Sequence, residues 1–199
     1  QVLAGDSMNK RLIGQLLAAF VLFGSLAGPA MGRTVGGVDV QESYQLAGES
    51  LVLSGAGTRS KWFMDLYVGA LYLPEVLTSG NAVLEADEPQ AITLHITSGM
   101  ITSERMTEAT EEGFEASTGG DTAPYRDDID RFMAVFSDEI KEGDSFELAY
   151  VPGEGVRVLK NGELKETVGD LAFKKVLFGI WLSDDPAQES LKDRMLGRD

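Results

Sequence analysis

Cysteine is absent from the 199 residues, and histidine occurs once, at position 95. The first absence excludes disulfides, thiolate metal sites, a cysteine nucleophile and a lipid-modified cysteine anchor. It leaves the compartment open, because an exported protein need not carry disulfides. The scarcity of histidine means that any Ser-His-Asp triad or imidazole metal centre would rest on His95 alone, and a lone histidine in a strand is ordinarily packed or solvated. Positive charge is in short supply too: 17 Lys and Arg face 32 Asp and Glu, a formal net charge of −15. Nucleic-acid binding and attraction to anionic membrane surfaces both depend on Lys and Arg, so both are disfavoured. Two apparent ligand motifs also fall short. Gly55-Ala56-Gly57 lacks the third glycine and the following helix of a nucleotide loop, and Asp127, Asp128 and Asp130 lack the spacing of a calcium loop while sitting where a helix start favours negative charge. No cofactor and no metal site are expected.

What is present is the composition of a globular protein, 43% hydrophobic and 25% charged, in a length that suits one domain plus an appendage. Residues 1–7 precede Met8 and read as an upstream extension. Residues 8–32 have the layout of a secretory leader: basic Lys10 and Arg11, an apolar run from Leu12 to Leu26, and small residues at Ala30 and Gly32. The run is short for a spanning anchor, so cleavage near Gly32 is expected, giving a periplasmic or secreted domain over residues 33–199 with no stable membrane insertion.

Within that domain, Val35 to Tyr44 and Leu46 to Leu53 read as strands, and Gly55-Ala56-Gly57-Thr58 as a sharp turn feeding a long strand from Trp62 to Leu73. The even positions Trp62, Met64, Leu66, Val68, Ala70 and Tyr72 share a core face, and the odd ones, among them Phe63, Tyr67 and Leu71, mix aromatic, aliphatic and phenolic groups suited to lining a cavity. A loop with Ser79-Gly80-Asn81 follows, then a strand from Ala91 to Thr97. Thr102 or Ser103 caps a helix that Gly119-Gly120 ends, and Ile129, Phe132, Met133, Phe136 and Ile140 mark the next. Strands at Phe146–Val151, Val156–Lys160 and Leu164–Val168 form a meander with Asn161-Gly162 as a hairpin turn. Asp170 caps a further helix, and Asp185-Pro186 opens the last. Strands grouped early and late, with helices between and after, predict an α+β fold: a large antiparallel sheet with helices on one face.

Several of these segments, in this order, resemble the chalcone isomerase-like family in its bacterial exported branch. They are GAGTR at 55–59, YVGALYLPE at 67–75, ITSERM at 101–106, FSDEIKEGD at 136–144, the Tyr150/Pro152-Gly153/Asn161-Gly162 pattern, and FGIWLSDDPAQESLK at 178–192. The resemblance implies an open-faced β-sandwich with a ligand cleft between sheet and helices. In the plant enzymes of the family, which close a chalcone into a flavanone, a motif arginine stabilises developing negative charge, and a threonine, a tyrosine and an asparagine assist. The arginine corresponds to Arg59, but the other positions fall on Tyr67, about Thr102 and about Ala109.

An arginine paired with a tyrosine instead resembles the family's fatty-acid-binding members, where the two hold a carboxylate. On that resemblance Arg59, Tyr67, Phe63, Leu71 and Thr102 are the candidate ligand-binding residues, and a fatty-acid-like hydrophobic carboxylate is the expected ligand. A guanidinium fork suits two carboxylate oxygens, a phenol adds a third hydrogen bond, and apolar walls take a chain. Along a straight strand Arg59 and Tyr67 would stand roughly 26 Å apart at about 3.3 Å per residue, so they meet only if the chain turns between them. Two alternatives stand beside non-catalytic binding. One is an intramolecular lyase or isomerase in which Arg59 polarises an oxyanion. The other is an envelope scaffold whose cleft is vestigial.

Overall fold

A computed structural model describes residues 32–198. The segments expected as an upstream extension and a leader lie outside the described residues, apart from Gly32. Seven strands form one antiparallel sheet in the order β3 (Ser43–Leu46), β4 (Glu49–Lys61), β5 (Met64–Leu73), β6 (Gln90–Ile96), β7 (Ser145–Val151), β8 (Gly155–Lys160) and β9 (Glu163–Val168). A separate hairpin of β1 (Gly32–Val35) and β2 (Val38–Gln41) turns at Gly36-Gly37. The helices are α1 (Gly80–Glu85), α2 (Ser103–Thr118), α3 (Arg126–Met133), α4 (Leu171–Leu182) and α5 (Glu189–Met195). This is the α+β arrangement expected. Among the described residues no helix is long and apolar enough to cross a membrane.

Both faces of the sheet are covered, which is why its strands alternate between two different hydrophobic clusters rather than between core and water. Tyr67, Leu71, Ile92, Leu94, Phe146 and Leu148 face the helices and pack with Phe114 of α2, Phe132 of α3 and Phe173 of α4. Val68, Ala70 and Tyr72 point the other way, against Val40, Leu46 and Leu51, with Val35 and Val38 of the small hairpin packed alongside. The expected face of even residues in β5 is therefore core only from Val68 onward. Trp62 and Met64 are exposed, and Leu66 packs with the helix-side cluster. The cause is a bulge: Arg59 pairs with Tyr67 but Ser60 with Asp65, so Leu66 is an extra residue that changes the phase of the alternation.

The largest correction concerns the turn. Gly55 to Thr58 lie inside β4, which continues to Lys61, and the hairpin closes at Trp62-Phe63. Gly55 and Gly57 serve a close approach instead of a bend. A Cβ on Gly55 would fall 2.0 Å from the Arg194 carbonyl oxygen and one on Gly57 2.8 Å from the Arg194 Cβ, so α5 can lie against β4 only because both side chains are missing. Two further differences are local. The segment after Pro74 holds α1, capped by the Ser79 hydroxyl accepting from the Ala82 amide, where a loop is expected. The last helix starts at Glu189 rather than at Pro186, because the Ala187 amide is drawn back to the Ile180 carbonyl.

Candidate functional site

The site begins with a register. Arg59 and Tyr67 are direct partners across the β4–β5 ladder, brought together by the turn at Trp62-Phe63. Arg59 is half-buried, and its guanidinium is held from the far end of the chain: Nη1 donates to Gln188 Oε1 at 2.9 Å and to the Ser60 carbonyl at 2.8 Å. Gln188 Oε1 also accepts from the Ser60 amide at 3.0 Å, while its Nε2 donates to Ser190 Oγ at 2.8 Å. Gln188 precedes α5, so the helix admitted by Gly55 and Gly57 also aims the arginine. No carboxylate of the described residues forms an ion pair with Arg59.

Tyr67 is 9% exposed, and its hydroxyl oxygen accepts from Trp181 Nε1 of α4 at 2.9 Å. The phenolic proton is left free to donate elsewhere. Burial raises the Tyr67 pKa, opposed by the Trp181 hydrogen bond and the positive charge of Arg59, so the phenol stays protonated at neutral pH. Arg59 and Tyr67 line a cavity of about 230 Å³ between the sheet and the helices. Leu94, Phe146 and Leu148 form its sheet wall, and Met106, Phe132 and Ile180 its helical wall, with Thr110 among the polar groups. Lys61, Glu112 and Asp185 also border it, so two cations and two carboxylates surround the cavity.

The remaining expected site residues lie elsewhere. Phe63 is at the turn, 107% exposed, because the hairpin closes there instead of at Gly55-Gly57. Leu71 faces the helices but is wholly buried in the core beyond the cavity. Thr102 is exposed and occupied as the cap of α2, its hydroxyl accepting from the Arg105 amide. Ala109 does line the cavity. Trp181 and Gln188 are absent from the expectation; an indole N–H in a buried helix face must find an acceptor, which is the signal that points to Trp181. His95 is half-buried on the sheet face away from the cavity, its imidazolium form disfavoured by burial with the Glu147 charge opposing. No metal-binding cluster of His, Asp and Glu occurs among the described residues.

A curled antiparallel sheet backed by helices, with a cavity between the layers, defines an open-faced β-sandwich with an internal pocket. The profile of the chalcone isomerase-like family matches residues 32–197, and the chain belongs to that family. No curated protein matches the sequence. Among the similar solved structures is a fatty-acid binding protein from Arabidopsis thaliana, 18% identical, with a TM-score of 0.59 over 78% of this chain and 96% of that one. At that identity the likeness concerns the fold.

Proposed function

We propose that this protein binds a hydrophobic monocarboxylate, without chemical conversion, in the cavity lined by Arg59 and Tyr67. The observation that carries the reading is the state of Arg59: a half-buried guanidinium, aimed by Gln188 and without a carboxylate ion-pair partner among the described residues, in the wall of a largely apolar cavity. A guanidinium so placed has donors left for a ligand, and the Tyr67 hydroxyl has its proton. The apolar walls take the attached chain. Glu112 and Asp185 balance Arg59 and Lys61 around the cavity, so no surplus of positive charge is left for a second carboxylate, which favours a monocarboxylate over a dicarboxylate. The fatty-acid binding named for the Arabidopsis relative supports the same class of ligand. Thr102, at about the plant tyrosine position, is spent on a helix cap, which disfavours cyclisation of chalcones. Export through the 8–32 leader is part of the proposal and rests on the sequence pattern alone. Recovery of full-length chain in the membrane fraction would overturn it.

The test is thermal denaturation with saturated carboxylates of increasing length and their matching alcohols. A ligand that binds only the folded state raises Tm with the logarithm of its concentration over Kd. Carboxylates are expected to raise it, alcohols to do so less, and chalcone to show no protein-dependent loss of absorbance. Equal shifts for acid and alcohol would remove Arg59 from the site.

A further inference from the structure

The tip of the β4–β5 hairpin is built against local preference. Trp62 and Phe63 both take left-handed backbone conformations, φ 54° and 64°, in a two-residue turn closed by the Lys61–Met64 pair. Such turns ordinarily take Asn-Gly, and a bulky residue in this region is strained. Nothing inside the protein offsets that strain: Trp62 is 77% exposed, Phe63 fully so, and neither belongs to a hydrophobic cluster. Met64 and Met100 are exposed beside them. Lys61 and Arg105 flank the patch, and neither pairs with a carboxylate of the described residues.

This patch also forms the mouth of the site. A groove of about 360 Å³ bounded by Lys61, Trp62, Met64, Met100 and Arg105, with Glu108 and Glu112 on its helical side, shares Lys61, Leu66, Met106, Ala109 and Glu112 with the cavity of Arg59 and Tyr67. An exposed indole with its polar N–H, beside an exposed phenyl ring and two unpaired cations, has the chemistry of the boundary between phospholipid headgroups and acyl chains. The net charge of −15 opposes lying flat on an anionic surface, and Glu108 and Glu112 of the groove balance Lys61 and Arg105, so the surface that fits is a zwitterionic one met end-on by the aromatic tip.

We propose that the Trp62-Phe63 tip docks end-on into the interface of a phospholipid bilayer, so that the groove opens onto the membrane and the ligand passes between bilayer and cavity without crossing water. The proposal rests on the carboxylate-binding reading for its cargo, but docking itself does not. Lys61 and Arg105 meet lipid phosphates, the two aromatics enter the acyl boundary, and the acidic body stays in solvent.

Phosphatidylcholine vesicles test it, half of them carrying dibrominated acyl chains. Trp62 is the exposed indole and Trp181 the buried one, so docking is expected to move emission to shorter wavelength and bromine to quench it. The double variant Trp62→Asn, Phe63→Gly replaces the pair with the residues this turn prefers, and so folds at least as well as the unaltered protein. Its vesicle partition coefficient from co-sedimentation is expected to fall by more than about tenfold, since withdrawing even one buried aromatic forfeits at least that factor. Transfer of a fluorescent fatty acid out of vesicles should speed up with vesicle concentration for the unaltered protein and be independent of it for the variant. Carboxylate binding in vesicle-free buffer should be equal for the two. Vesicle docking without carboxylate binding defeats the cargo and spares the docking; carboxylate binding with no vesicle docking defeats the docking alone. Self-association through the tip, seen by sedimentation and abolished in the variant while vesicles remain unbound, would assign the patch to a second copy and overturn the proposal.

Discussion

Arg59 and Tyr67 face each other across the β4–β5 ladder, and each is held from behind by a residue of the C-terminal third: Arg59 by Gln188, Tyr67 by Trp181. Two donors of different strength are thereby fixed side by side before any ligand arrives, which lowers the ordering cost of binding. Arg59→Lys should weaken carboxylate binding although charge is kept, by about 1.5–3 kcal/mol, the worth of a hydrogen bond to a charged group. Tyr67→Phe should cost about 0.5–1.5 kcal/mol. Isothermal titration checks both, with ligand-free melts showing that the variants fold. Unchanged affinity in Arg59→Ala would reduce Arg59 to a hairpin-end charge.

Glu112 borders the cavity that Arg59 lines. If the head group is anionic, Glu112→Gln should tighten binding of a carboxylate by about two- to fivefold, as expected for one solvent-exposed like charge. The gain should shrink with added salt and be absent for the matching alcohol. Equal gains for acid and alcohol would indicate a change of shape rather than of charge.

Gly55 and Gly99 are a matched pair of glycines without left-handed backbone. A Cβ on Gly55 meets the carbonyls of Arg194 and Met195 at 2.0 and 2.9 Å, whereas Gly99 has nothing within 4 Å. Gly55→Ala should therefore push α5 off β4, costing about 1–3 kcal/mol, and loosen carboxylate binding because Gln188 moves with the helix. Gly99→Ala should be neutral or slightly stabilising. Urea denaturation of the two variants gives the comparison, and equal effects would show that close approach of α5 is not what Gly55 permits.

Lys174 is 0% exposed, and its ammonium donates to the carbonyls of Val83, Leu84 and Ala86 at 2.8, 3.0 and 2.9 Å, closing the end of α1. Desolvation, with Lys175 adding to it, lowers its pKa from 10.5 to about 8, against the opposing charges of Asp87, Glu85 and Glu88. The unfolded chain therefore holds more protons than the folded one between pH 8 and 10.5, and stability should rise with pH across that window. Tyr44, Tyr67, Tyr72 and Tyr150, whose pKa values are raised chiefly by burial, act in the opposite sense only above their ordinary value near 10. Denaturation at pH 7.5 and 9.5 should show the rise in the unaltered protein and its loss in Lys174→Met. At pH 7.5 that variant should also be weaker by about 2–4 kcal/mol, because three carbonyls lose their donor.

Much of the architecture was legible residue by residue because its signals are local. Thr102 and Gly119 bound α2, Asn161-Gly162 turns the meander with both residues in the left-handed region, and the apolar face of α4 is buried as its spacing requires. Arg59 and Tyr67 could be named as a pair on family resemblance, yet their separation along the chain left their meeting conditional on a turn. Where that turn falls was decided by contacts between distant segments. Gly55 and Gly57 carry the local chemistry of a bend, but α5 uses their missing side chains to lie against a straight strand, and the bend moved to two aromatic residues that carry no turn signal. That displacement put Phe63 outside the cavity, and the bulge beside it set the faces of Leu66 and Tyr67. Trp181 and Gln188 reach the site from α4 and the start of α5, more than a hundred residues downstream. Local propensity sets which elements form, whereas close approach and the pairing of buried polar groups depend on which elements meet, and only the folded chain brings those partners together.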